Sequence, residues 1–290
     1  MNYSLENKDV KIVVSSFGAE LKELTNKIKD INILWDGNPK YWKRNSPVLF
    51  PNVGKYKDGK FLYDGKEYYQ GAHGFARDNE FELESKTNDE ITFSFTYNNE
   101  TLQSYPFKFK LYITYKLSNN ELYVIYKVLN LDNKTMYFGI GGHPAFICPL
   151  DQSKKRSDYY LKFYNENVLY STIVNEKGLK TDKREELKLE NGYLSITDDI
   201  FKHDTIVLEN QNISKISLCD HNKKEYVTVE SNCPLYGIWG SNPGTPFVCI
   251  EPWFGAFDHE NFCKTIADKE YENALEPEKI YENFYKITLD

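Results

Sequence analysis

The sequence predicts an all-β protein, two large antiparallel sheets packed face to face, and three observations carry that expectation. In FKFKLYITYKL (107–117) every second residue is apolar, so Phe107, Phe109, Leu111, Ile113, Tyr115 and Leu117 share one face of a half-buried strand. Short runs of the same kind recur at 10–14, 91–97, 159–164, 193–197, 205–208, 213–219, 226–230 and 247–251, separated by Asn, Asp, Gly and Lys clusters. Helical periodicity with caps is nearly absent, and only 258–268 invites a short helix.

Taken in order, the run at 107–117 is followed by the turn SNNE (118–121) and by LYVIYKVLNL (122–131), which together read as a hairpin. The lysine-rich segment 176–190 reads as an exposed hairpin or loop. No linker or shift in composition divides the chain, so residues 1–290 are expected to form one domain.

Composition narrows the function. The 290 residues contain no apolar run long enough to span a bilayer, and the N-terminus has neither the basic region nor the cleavage pattern of a signal peptide. A cytoplasmic protein is expected. The five cysteines form no CxxC pair and lie mostly in apolar runs, as buried free thiols in a reducing compartment do. The net charge of −7, with its basic residues scattered, argues against a nucleic acid or an anionic membrane surface as partner.

Four islands interrupt the plain strands: KRNSPVLFPNVGKYKDGKF (43–61), HGFARDNEF (73–81), YFGIGGHPAFIC (137–148) and CIEPWFGAFD (249–258). In the third, Gly141 and Gly142 remove bulk before His143, which suits close approach of a ligand or of another strand. A histidine there is either a core side chain satisfied by backbone or a proton donor working near neutral pH. In the fourth, Glu251 ends an apolar run before Pro252 and Trp253, where desolvation raises a carboxyl toward the range of a general base; the alternative is a carboxylate that pins a loop or an indole N–H. A carboxylate and a histidine make an acid–base couple, which is what ring opening of a sugar at its anomeric carbon requires. P-loop, GxGxxG and GxSxG motifs are lacking, and no His, Cys or acidic pair has the spacing of a structural zinc site, so neither cofactor nor metal is expected.

With FGAEL (17–21) and ILWDGNPKYW (33–42), the four islands resemble the aldose 1-epimerase (galactose mutarotase-like) superfamily, in particular its LacX-like branch, across essentially the whole chain. The resemblance implies a supersandwich fold and a cofactor-independent mutarotase that interconverts the α and β anomers of an aldohexose. It implies Glu251 as general base and His143 as general acid. His73 would bind sugar hydroxyls near the ring oxygen, Asp204 would grip further hydroxyls, and Lys55 would contact a sugar or an anion. Arg44 and Arg77 also resemble the arginines of a hexose-6-phosphate mutarotase branch, where they hold the phosphate; otherwise Arg77 pairs with Asp78 or Glu80, and Arg44 sits in a surface loop. The expected partner is a small-molecule sugar, free or phosphorylated. A third expectation is a carbohydrate-binding protein of the same fold that has lost the chemistry. Trp253 and Phe75 would wall the sugar or close the core, and His203, His221 and His259 are expected at the surface.

Overall fold

The strand Phe109–Ser118 buries every second residue, with half-buried residues and the exposed Lys116 between, and its partner Glu121–Asn130 alternates half-buried and buried residues; Asn119, at a φ of 53°, and Asn120 make the two-residue turn between them. This hairpin lies inside a nine-stranded sheet. The computed structural model describes residues 1–164 and 166–290. In that sheet the order is Tyr193–Ser195, Tyr160–Phe163, Lys215–Cys219, Glu225–Ser231, Ile280–Leu289, Glu121–Asn130, Phe109–Ser118, Glu90–Thr96 and Glu82–Lys86, and every pairing is antiparallel.

A second sheet runs Lys180–Lys188, Val168–Val174, Ile206–Glu209, Leu235–Trp239, Phe247–Phe254, Ile140–Gly142 and Val48–Leu49, and Ala145–Ile147 also pairs with Phe247–Phe254. Its inner face meets that of the larger sheet in one core, where Leu111, Ile113, Val124 and Tyr126 face Ile206, Tyr236, Val248 and Ile250. Burying each such side chain contributes about 1.5–3 kcal/mol. A four-stranded sheet, Asn2–Glu6, Val10–Ser15, Leu21–Asn26 and Ile31–Asn32, adds Val10, Ile12 and Leu24 to the same core. The chain is therefore an all-β antiparallel sandwich with a smaller N-terminal sheet attached.

Two sequence expectations change. Residues 258–268 form no α-helix, only a 3-10 turn at Ile266–Asp268, because just Asp258 and Ile266 are buried and no apolar stripe exists to hold a helix down. Cys148, Cys219, Cys233 and Cys249 are buried free thiols, whereas Cys263, in that same segment, is exposed. Segment 176–190 supplies the strand Lys180–Lys188, which returns on Val168–Val174 as a hairpin at the sheet edge.

The strand that positions the site is Phe247–Phe254, buried on both faces. Val248 and Ile250 point into the main core, while Phe247, Cys249, Glu251 and Trp253 project from the opposite side. That outer face, roofed by the islands read from the sequence, carries the candidate site.

Candidate functional site

Register brings the two proposed chemical residues together. Ala145 pairs with Cys249 and Gly141 pairs with Trp253, so His143 comes level with Glu251. Gly141 allows close approach to a neighbouring strand, where a Cβ would lie 2.9 Å from the Pro252 carbonyl oxygen, and Gly142 makes room for the Tyr285 and Tyr126 side chains, at 2.8 and 2.9 Å from its own Cβ position. Across the strand contact His143 Nε2 stands 3.3 Å from Glu251 Oε2. The indole Nε1–H of Trp253 donates to the same oxygen at 3.2 Å, and the indole ring lies across Gly237, where a Cβ would approach to 2.2 Å.

The pair forms the floor of a cleft of about 220 Å³. That is smaller than the ~300–1,000 Å³ of drug-sized ligand sites and suits one sugar ring. Its walls include Trp42, Trp239, Trp253 and Phe257. Trp42 stacks on the His143 ring, with centroids 4.8 Å apart and planes at 30°, and Trp239 meets that ring edge-on at 5.7 Å. The chain has four tryptophans, and three of them line this cleft. Trp42 and Trp239 were not singled out from the sequence; the rarity of the residue, with Trp42 closing the ILWDGNPKYW motif, was the available signal.

Burial sets the electrostatics. Desolvation raises the Glu251 carboxyl well above its ordinary range, with the Trp253 hydrogen bond opposing and the Asp204 charge assisting. The same burial lowers His143 to about 3, helped by the Arg77 charge. Both shifts favour the neutral forms of the pair, a protonated carboxyl facing a neutral imidazole. Moving one proton across it gives the carboxylate–imidazolium form.

His73 faces His143 with ring centroids 5.5 Å apart. Its backbone N–H donates to the Gly54 carbonyl at 2.7 Å, and its Nδ1 accepts the Gly54 N–H at 3.1 Å. An imidazole that accepts at Nδ1 carries its hydrogen on Nε2, which leaves a donor for a ligand. Burial, with His143 and Arg77 as neighbours, holds the pKa of His73 well below its ordinary value and keeps it neutral.

The remaining proposed residues divide. Asp204, Lys55 and Arg77 line the cleft. Asp204 Oδ1 accepts the Trp239 indole N–H at 3.0 Å, and the adjacent His203 is exposed. Lys55 Nζ donates to the Lys177 carbonyl at 3.2 Å. Arg77 Nη2 donates to the Ala72 carbonyl at 2.7 Å, and desolvation together with Arg44 lowers its guanidinium to about 10. Arg44 stands behind Arg77 and outside the cleft lining: its Nη2 bonds Asp78 Oδ1 at 2.7 Å and its Nη1 donates to the Arg77 carbonyl at 3.3 Å. Arg77 Nε lies 3.7 Å from the same Asp78. Trp253 is a cleft wall, whereas Phe75 packs among Phe50, Phe95 and Phe109. Of the outlying histidines only His203 is exposed; His221 and His259 are half-buried, His259 beside Asp182 at 3.2 Å.

The aldose 1-epimerase family profile matches residues 1–281. The chain belongs to that family. Similar curated relatives include Protein LacX (plasmid) of Lactococcus lactis subsp. lactis, 29% identical over 298 residues covering 100% of this chain and 99% of the relative. Among solved structures, a galactose mutarotase related enzyme from Lactobacillus acidophilus is 35% identical, covers 100% of this chain and 97% of its own, and superposes with a TM-score of 0.94. A galactose mutarotase-like protein from Lactobacillus casei is 29% identical over 100% of both chains, with a TM-score of 0.92. The sandwich described above is thus an aldose 1-epimerase fold throughout. Among its described residues no helix is long and apolar enough to cross a membrane.

Proposed function

We propose that this aldose 1-epimerase family member is a mutarotase that interconverts the α and β anomers of a free aldohexose. The observation that carries the reading is the 3.3 Å contact of His143 Nε2 with Glu251 Oε2 on the floor of a sugar-sized cleft. In the charged form of the pair, Glu251 takes the proton of the anomeric hydroxyl while His143 protonates the ring oxygen, and the ring opens to the aldehyde. This leaves the protonated carboxyl and neutral imidazole, the form that burial favours. After rotation about the C1–C2 bond the two transfers run backwards and the ring closes as the other anomer. One mobile proton shuttles through the cycle, so no outside acid or base is consumed. His73 Nε2–H donates to the sugar near its ring oxygen, Asp204 accepts from hydroxyls, and the tryptophans supply the flat walls on which a sugar ring stacks. We read residues 1–290 as one unit and the protein as a cytoplasmic enzyme of carbohydrate metabolism.

Exchange spectroscopy of glucose and galactose anomers tests the reading, with acceleration by wild-type protein as the expected result. Tight sugar binding by calorimetry without acceleration would instead make the protein a carbohydrate binder.

The pH profile follows from the pair's directions. His143 is depressed, so a second proton joins the pair only toward about pH 3, and Glu251 is raised, so the pair keeps its mobile proton to a higher pH than an ordinary carboxyl would. We expect kcat/KM to show no acid limb between about pH 7 and about pH 5. An acid limb centred on the ordinary histidine value of 6.5 would contradict this assignment.

A hexose 6-phosphate is the second reading, favoured by Lys55 and Arg77, the cations of the cleft lining. For the free-sugar reading, kcat/KM for the hexose should at least equal that for its 6-phosphate. A preference for the phosphate of about tenfold or more, removed by Arg77→Ala, would reverse the order of the two readings.

A further inference from the structure

Cys249 has no part in the proton shuttle, yet it projects from the same strand face as Glu251, two residues away. One donor atom each from His143, Cys249 and Glu251 lies within 4.8 Å of the other two, and all three residues are buried. Among the described residues this is the group of three such donors close enough to share an ion. Zinc bonds of about 2.0–2.3 Å in a tetrahedron hold their donors roughly 3.5 Å apart. The His143–Glu251 contact already has that spacing, at 3.3 Å. The third donor, Cys249 Sγ, lies within 4.8 Å of both and has to close by at most roughly 1.3 Å to join them. A second feature points the same way: His143 Nδ1 is buried with no hydrogen-bond partner, so no hydrogen bond at that nitrogen ties Nε2 to its present direction.

We propose that His143, Cys249 and Glu251 form an inhibitory binding site for a soft divalent cation of the zinc and cadmium class. The ion enters through the cleft, which His143 and Glu251 line, and Cys249 closes the site from behind. Bonds form from the metal to imidazole nitrogen, thiolate sulfur and carboxylate oxygen as aqua ligands leave. The thiol proton, and any proton on the carboxyl, passes to solvent. The fourth position stays open to the cleft for a water molecule. A divalent ion with one thiolate and one carboxylate is net neutral, which a dry cleft floor tolerates better than an isolated charge. The occupied site withdraws both members of the acid–base pair from the sugar, so metal and sugar compete.

The test uses cadmium, whose bond to thiolate gives a charge-transfer absorption in the ultraviolet, and a Cys263→Ser background that removes the exposed thiol. The expected result is a band that saturates at one equivalent of cadmium and is lost in Cys249→Ser and in Cys249→Ala. Absence of the band, or a band unchanged by both substitutions, overturns the proposal. These readouts require no turnover, so they stand apart from the mutarotase reading. Where anomer exchange is measurable, zinc inhibition relative to each variant's own basal rate should be competitive with sugar and weaken about tenfold or more in Cys249→Ser. Equal inhibition of both proteins would place the metal elsewhere and overturn the assignment. The two substitutions and the wild-type titration together keep the test decisive if one variant folds poorly.

Discussion

Glu251→Gln should lower kcat for anomer exchange by about 10²–10⁴-fold, the usual contribution of one general acid–base group, while leaving a folded protein that melts higher than wild type. Gln has the shape of Glu and still offers an oxygen to the Trp253 indole, so the hydrogen bond at 3.2 Å has a partner. What it removes is the proton site. The stability effect has a definite sign. The folded-state pKa of Glu251 is raised above its ordinary 4.5, so the unfolded chain ionises there before the folded chain does. The carboxyl therefore costs no stability below the ordinary value and progressively more as pH climbs toward the raised one. An amide does not titrate, and the melting-temperature gap between variant and wild type should widen as pH rises above 4.5. Polarimetry on freshly dissolved α-anomer measures the first effect and thermal melts across pH the second. Full activity in the variant would remove Glu251 from the chemistry, and a melting temperature that falls with the substitution would mean that the buried group is held ionised.

Much of this was legible in the residues, for physical reasons. Phe109–Ser118 needs only its alternation to be read, because a half-buried strand between two others has one apolar face. His143 and Glu251 stood out because titratable groups inside apolar runs are costly, and register brought them into contact. Less visible was Leu235–Trp239, five residues with Gly237 in the middle, where a glycine ordinarily weakens a strand; here the Trp253 ring occupies the space a side chain would need. Ile280–Leu289 was also missed, since its first half is largely exposed, yet it pairs with both Glu121–Asn130 and Glu225–Ser231 in the largest sheet. The two arginines show a different limit. A sequence places Arg44 and Arg77 near Asp78 without saying which one takes the carboxylate, because that choice belongs to tertiary geometry. With Arg44 on Asp78, Arg77 is the arginine left facing the cleft.

Gly74→Ala should be the most damaging single methyl group near the site. Gly74 has a φ of +66°, and a Cβ there would lie 2.2 Å from the Phe50 carbonyl oxygen and 2.4 Å from its carbon. That oxygen accepts the N–H groups of Phe75 and Ala76, each at 3.0 Å, so the obstacle is backbone already tied to the same turn. The left-handed conformation costs about 1–2 kcal/mol for an L-residue, and an unyielding overpacked contact adds about 1–3 kcal/mol. A total of about 2–5 kcal/mol corresponds to a loss of roughly 5–15 °C in melting temperature. His73 immediately precedes this turn at a φ of +65°, so the change also shifts the imidazole clamped to Gly54 and should raise KM for the sugar. Gly65→Ala separates strain from collision, because Gly65 has nearly the same φ, +69°, with nothing within 4 Å of the added Cβ. It should cost only about 1 kcal/mol and leave KM unchanged. Equal losses for the two variants would assign the whole effect to backbone conformation and refute the packing argument at the Phe50 carbonyl. A larger loss at Gly74, with the KM change confined to that variant, is the outcome required if the 43–61 and 73–81 segments are locked together to hold His73 over the cleft.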